Sequence, residues 1–338
     1  WERLAELHEK PCLFTRIFPD DVLCEVSAGD YWFLSACAAV AEYPAWIQAM
    51  FGRTTRLSPG GKYSVRLFHP GLREFIRVGV DDRVPTREHC PAFAGLTGDG
   101  EIWVALVEKA FATLCRSYEN AERVPNTAFG LHYLCGGSGA ETWRQVGPRS
   151  DDPRSGTWLC SRTGWNAEGE VPVDRIKAEG MTDDEEQHDV EELWAFLRRC
   201  MGLCQPVACR ASNTICTAGS GLQCDRLYSI LRVCEVQAAA GTKVLRMVHL
   251  RNPFGPVEWQ GRWAHHSDVW QENPHVGVLL ETNQDSYGSF WMSYHNFLVH
   301  FDTIHVVMKS MPIQGCTRAK VLGAGRNVEL PQDYDAGS

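Results

Sequence analysis

Between Tyr31 and Ala41 the chain runs through Trp32, Phe33, Leu34, Ala36, Cys37, Ala38, Ala39 and Val40, with Ser35 as the polar residue inside the run. Ala and Leu favour helix, and a helix that is apolar on every side has no face to give to water. The rest of the chain must therefore be built around it. Asp30 stands where an acidic cap would start this helix, and Pro44 stops it soon afterwards.

There is enough material for that burial. A length of 338 residues suggests two domains at roughly 100 to 200 residues each, and 44% hydrophobic content is ample for sizeable cores. A net charge of −9 disfavours nucleic acid or an anionic membrane as the main partner, since both reward clustered Lys and Arg. No apolar run reaches the roughly 18 residues of a membrane span. Trp1-Glu2-Arg3 is unlike the start of a signal peptide, and the absence of an initiator Met suggests a fragment of a longer protein. The 14 cysteines lie scattered in apolar stretches, which favours reduced core thiols in a cytoplasmic protein. Cys200, Cys204, Cys209, Cys216, Cys224 and Cys234 form the densest group, but without the paired C-x2-C spacing of a zinc site.

Ile102, Leu106, Ala110 and Trp103, Val107, Leu114 recur at helical spacing, and predict a second core helix. Tyr63 to Phe68 and Phe75 to Val80 read as strands, and Gly136 to Gly156 as a connecting loop. A helix is predicted from near Thr182, with Asp183, Asp184, Glu185 and Glu186 in its first turns and Arg198 and Arg199 at its end, an order that suits the helix dipole. Val207 to Ala211, Tyr228 to Val236, Val244 to Leu250, Val276 to Leu280 and Ile304 to Met308 predict an antiparallel sheet.

Short motifs join these elements. Gly29-Asp30-Tyr31-Trp32 resembles the Gly-Asp-Cys-Trp signature of calpain-type cysteine proteases, with tyrosine where the nucleophile should be. Val80 to Thr86 is similar to that family's VDDRLPT, Trp103 to Phe111 to its WSALLEKAY helix, and Ser117-Tyr118-Glu119 to the SYE that follows. Arg251 to Trp263 resembles RNPWGEVEWxGxW, and Ser289 to Tyr294 resembles GEFWMSF. The resemblance spans most of the chain in the family's order. It implies an α+β papain-like cysteine protease fold of calpain type, with a helix-rich first subdomain over 1–135, an antiparallel β-rich second subdomain over 136–310, and a tail toward a following domain over 311–338.

Carried over residue by residue, the resemblance places Tyr31 at the nucleophile, Arg226 at the base and Glu25 at the oxyanion-hole position, with Asn252 retained. Arg226 is located by Asp225 to Ile230, which matches GHAYSV through its Tyr-Ser. A phenol with a reference pKa near 10 is a poor nucleophile at neutral pH, and a guanidinium cannot accept a proton there. A carboxylate would repel an oxyanion. Tyr31 and Arg226 are expected to face one another across the cleft, with Glu25 paired to Arg226. Cys24 and Cys224 are the thiols that stand nearest these positions in sequence. Of the family's calcium ligands, Glu108 and Glu258 match, whereas Val22, Tyr287, Ser289 and His265 occupy other ligand positions, which argues against intact calcium sites and leaves no cofactor expected.

On these grounds the chain is expected not to be an enzyme. It reads as a pseudoprotease, a structural or regulatory module that binds protein partners on the cytoskeleton or in a larger assembly in the cytoplasm. Two alternatives stay open: an active or atypical calcium-dependent cysteine endopeptidase, and a calcium-responsive regulator without proteolysis.

Overall fold

The all-round apolar run does form a helix, and it lies at the centre of the first half of the molecule. The computed structural model describes residues 1–22, 31–97, 99–123, 127–137, 139–146, 156–163, 185–212, 219–237, 244–253, 255, 259–280 and 288–308. Asp30 lies outside these residues. A short strand β1 (Glu2–Arg3) precedes α1 (Tyr31–Ala41), in which every residue after Tyr31 is buried. Pro44 also opens the next helix, α2 (Pro44–Phe51), where a residue without an amide hydrogen fits the first turn.

The chain then makes the antiparallel hairpin β2 (Lys62–His69) and β3 (Glu74–Asp81), and β4 (Arg83–Val84) returns to pair with β1. A second small ribbon, β5 (Thr86–Arg87) with β6 (Cys90–Pro91), leads to helices α3 (Trp103–Leu114), α4 (Tyr118–Glu122) and α5 (Thr127–Cys135). Phe33 of α1 stacks on Phe111 of α3 with ring centroids 4.1 Å apart. Gly130 lets α5 meet α1 closely, because a Cβ there would come within 2.8 Å of the Ala36 methyl.

The second half is one antiparallel sheet. Its strands are β7 (Ala140–Val146), β8 (Thr157–Thr163), β9 (Glu185–His188), β10 (Val207–Ala211), β11 (Leu227–Gln237), β12 (Val244–Arg251), β13 (Ser289–Ser293) and β14 (Phe301–Val307). They lie in the order β13-β12-β11-β10-β14-β7-β8-β9. Helix α6 (Val190–Gly202) packs its Leu193, Phe196 and Leu197 on this sheet, and the short helices α7 (Val269–Glu272), α8 (Pro274–Leu280) and α9 (Tyr294–His300) complete the half. The first core, built on α1 and α3, continues onto the sheet through Ala208, Leu227 and Val307. The architecture is α+β, helices first and antiparallel sheet second.

Three expectations need correction. The acidic run is not a helix start over its described part: Glu185 and Glu186 lie in β9, where Arg144 on β7, two strands away, pairs with Glu185 at 2.7 Å and Arg162 on the adjacent β8 pairs with Glu186 at 3.6 Å. Cross-strand charge pairing outweighs helix propensity here. The helix starts instead at Val190, capped by Asp189, whose carboxylate accepts from the Glu191 and Glu192 amides while Glu192 accepts from the Asp189 amide. Val276 to Leu280 is helical: Val276 and Leu280 are buried while Val278 and Leu279 are exposed, a spacing of four that a strand cannot produce. Finally, the stretch read as a loop from Gly136 contains β7, with Ala140 and Trp143 buried.

Candidate active site

The start of α1 points at the turn that enters β11. This turn, Gln223 to Leu227, is tied to the end of β10: the Asp225 amide donates to the Ala211 carbonyl at 3.1 Å, and the Ala211 amide donates to the Arg226 carbonyl at 2.9 Å. Asp225 adopts a left-handed φ of 55°, which turns the chain sharply there.

Across this junction the Leu227 amide donates to Tyr31 Oη at 2.7 Å. The Arg226 guanidinium lies over the Tyr31 ring, 4.7 Å from its centroid. Two residues 196 positions from one another or nearly so are thus brought face to face. Burial pushes the Tyr31 phenol above its ordinary value, against the smaller opposing pull of the Leu227 amide and of Arg226. The phenol therefore stays protonated at neutral pH. Glu25, and with it the pairing to Arg226, lies outside the described residues, as does Cys24.

Asn252 is fully buried just after β12, and its amide donates to the Gly288 carbonyl at 2.9 Å. Gly288 is held at φ 67°, and a Cβ on it would sit 2.5 Å from the Asn252 carbonyl oxygen and 2.8 Å from that of Gly255. Only glycine fits against that turn. Its neighbour Arg251 donates from Nε to Glu42 Oε1 at 2.7 Å, both side chains being buried. Sequence reasoning missed this pair. Arg251 lies in one of the quoted motifs, but nothing around Glu42 marks it as the partner of a residue 209 positions away.

Six of the eleven described cysteines are buried. Burial pushes Cys115, Cys160 and Cys200 up to about 12 and Cys209 well above its ordinary value. Among the described cysteines Cys90 and Cys224 are exposed, Cys224 two residues before Arg226.

Of the calcium-ligand positions implied by the resemblance, two are described in detail by their surroundings. Glu108 is buried and turns both carboxylate oxygens to the Ala94 amide at 3.1 Å, Val22 is buried and apolar, and Glu258 and Tyr287 lie outside the described residues. Among the described residues no group of three or more His, Cys, Asp or Glu side chains is placed to hold a metal ion. Calcium takes about six to eight oxygens.

Residues 1–308 match the calpain family of cysteine proteases. The chain belongs to that family. Its calpain relatives include the calpain-type cysteine protease DEK1 of Zea mays, 31% identical over 331 residues, which covers 97% of this chain and 13% of that protein. The calpain-type cysteine protease ADL1 of Oryza sativa is also 31% identical, over 98% of this chain and 13% of its own length. Calpain-5 of Mus musculus is 26% identical over 90% of this chain and 45% of its own length. The chain thus spans less than half of each of these relatives.

Membership fixes the fold as a calpain-type, papain-like α+β protease domain, as the motifs implied. It also corrects the expectation that the chain is not an enzyme. That expectation rested on single positions in motifs, whereas the whole chain aligns with proteins named as proteases.

Proposed function

We propose that this calpain-family domain is an atypical endopeptidase domain that takes polypeptide where α1 meets the turn before β11. The match to named calpain proteases over nearly the whole chain is the observation that carries this reading. The residues define what is atypical about it. A protonated phenol at position 31 and a permanent cation at position 226 cannot form a thiolate–imidazole couple, so the attacking group comes from elsewhere, with Cys24, next to Glu25, and Cys224, two residues before Arg226, the candidates. Incubation of the purified domain with fluorescently labelled casein, with and without calcium and iodoacetamide, tests this reading. Cleavage that is lost on alkylation, and lost again in Cys24→Ser or Cys224→Ser, supports it. Cleavage that survives both substitutions sinks it.

A second reading is favoured by the hydrogen bond from Leu227 to Tyr31 and the stacking of Arg226 on the same ring. These contacts give the phenol a structural task at the junction of the two halves. On this reading the domain also has a structural or regulatory role, binding protein partners through the preserved scaffold. Saturable binding of a polypeptide that weakens in Tyr31→Ala, whether or not that polypeptide is cut, selects it.

A further inference from the structure

The β2–β3 hairpin carries arginines that no acid answers. Arg66 and Arg77 stand directly opposite one another in the strand pair. Like charges at a direct cross-strand position repel. The Arg66 guanidinium rests over the Phe75 ring at 4.9 Å, and both terminal nitrogens of Arg77 lie 3.6 Å from where a Cβ on Gly52 would be, beside the end of α2. Arg53 and Arg56 follow Gly52 in the same exposed turn.

Among the described residues none of these four arginines forms an ion pair. The acids of the hairpin are engaged or distant from the pair. Asp81 bonds Lys109 at 2.6 Å and Asp82 bonds Arg3 at 2.8 Å, while Glu74 stands opposite His69 toward the tip. A chain of net charge −9 thus holds a local cationic face whose guanidinium groups form no ion pair among the described residues.

We propose that this face is a docking surface for a carboxylate-rich segment of a polypeptide partner. Guanidinium groups present planar forks that match carboxylates two bonds at a time, and a carboxylate bridging Arg66 and Arg77 would convert their repulsion into attraction. The remaining charge of the domain argues against a membrane. An extended anionic surface would meet the overall negative charge as well as the patch, whereas a peptide fits inside the screening length of about 8 Å. Leu72 at the hairpin tip is exposed, but it is a single apolar side chain with Glu74 beside it. The surface is independent of the chemistry proposed for the start of α1, so either can fail without the other.

Fluorescence anisotropy of a labelled polyglutamate peptide titrated with the whole domain tests the proposal. The expected result is saturable binding that weakens between about 50 and 300 mM salt. It should weaken at least about tenfold in Arg66→Gln/Arg77→Gln, and stay unchanged in Arg198→Gln, whose partner Glu235 lies elsewhere. The double variant should melt no lower than the parent, because it removes a like-charge pair. Absence of binding, equal binding by the double variant, or binding to phosphatidylserine vesicles but not to the peptide would each overturn the proposal.

Discussion

Arg251 and Glu42 form a buried ion pair, Nε to Oε1 at 2.7 Å, that joins the end of β12 to the residue after α1. The Arg251 guanidinium also lies over the Phe18 ring, 4.7 Å from its centroid. The pair fastens the helical half to the sheet immediately beside Asn252. Glu42→Ala should cost about 3–5 kcal/mol in urea unfolding, because it takes the Glu42 carboxylate away from a buried guanidinium. The double variant Glu42→Leu/Arg251→Met should recover much of that loss. A double variant no more stable than Glu42→Ala would mean that the pair is not what fastens the two halves.

Tyr31→Phe keeps the ring under Arg226 and removes the acceptor for the Leu227 amide. A loss of about 1–3 kcal/mol is expected from the unsatisfied donor, with hydrogen exchange at Leu227 accelerated. Unchanged exchange at that amide would show that the phenol does not hold the junction.

Gly288→Ala should destabilise the domain by more than about 1 kcal/mol and displace the Asn252 turn. The added methyl meets two backbone carbonyls at a left-handed φ, and backbone cannot swing aside as a side chain can. Thermal unfolding measures the cost.

Acid should weaken the fold through its buried histidines. Burial, and secondarily Arg210, lowers His305 from 6.5 to about 4, with Asp302 opposing, and burial lowers His132 in the same direction. Below pH 6.5 the unfolded chain takes up a proton that folded His305 refuses until about pH 4. Stability is therefore unaffected by this group above 6.5 and falls through that window, by up to about 1.4 kcal/mol per pH unit. His305→Gln retains a partner for Thr142, which His305 meets at 3.2 Å, and should flatten the melting-temperature profile between pH 6.5 and 4.

Loss of the cap at α6 gives a smaller and local effect. Asp189→Ala removes the acceptor for two amides at the first turn, and should cost about 1 kcal/mol by chemical denaturation. Asp189→Asn should restore most of it.

The elements legible in the sequence are those in which composition and period agree. The α1 run is apolar on all sides, α3 repeats at three and four, and β2, β3, β10, β11, β12 and β14 are β-branched runs between breakers. Where the expectation failed, a contact remote in sequence decided. Glu185 and Glu186 became strand because Arg144 and Arg162 wait beside them, and Val276 to Leu280 is too short an apolar run for period alone to distinguish helix from strand. At the site, the identities at 31, 226 and 252 are plain in the chain, but the use of the Leu227 backbone amide carries no side-chain signal.

By itself the sequence determined which side chains are available: a phenol at the head of a buried helix, a guanidinium before β11, and the motifs that make this a calpain-family chain. Only the tertiary structure decided that Leu227 bonds the phenol, that Glu42 answers Arg251, and that Arg66 and Arg77 are left facing each other. Helix and strand follow from neighbours within a few positions, so local pattern encodes them. A hydrogen bond or ion pair between residues some 200 positions apart depends on where the cores set the two halves, and no local pattern carries that distance.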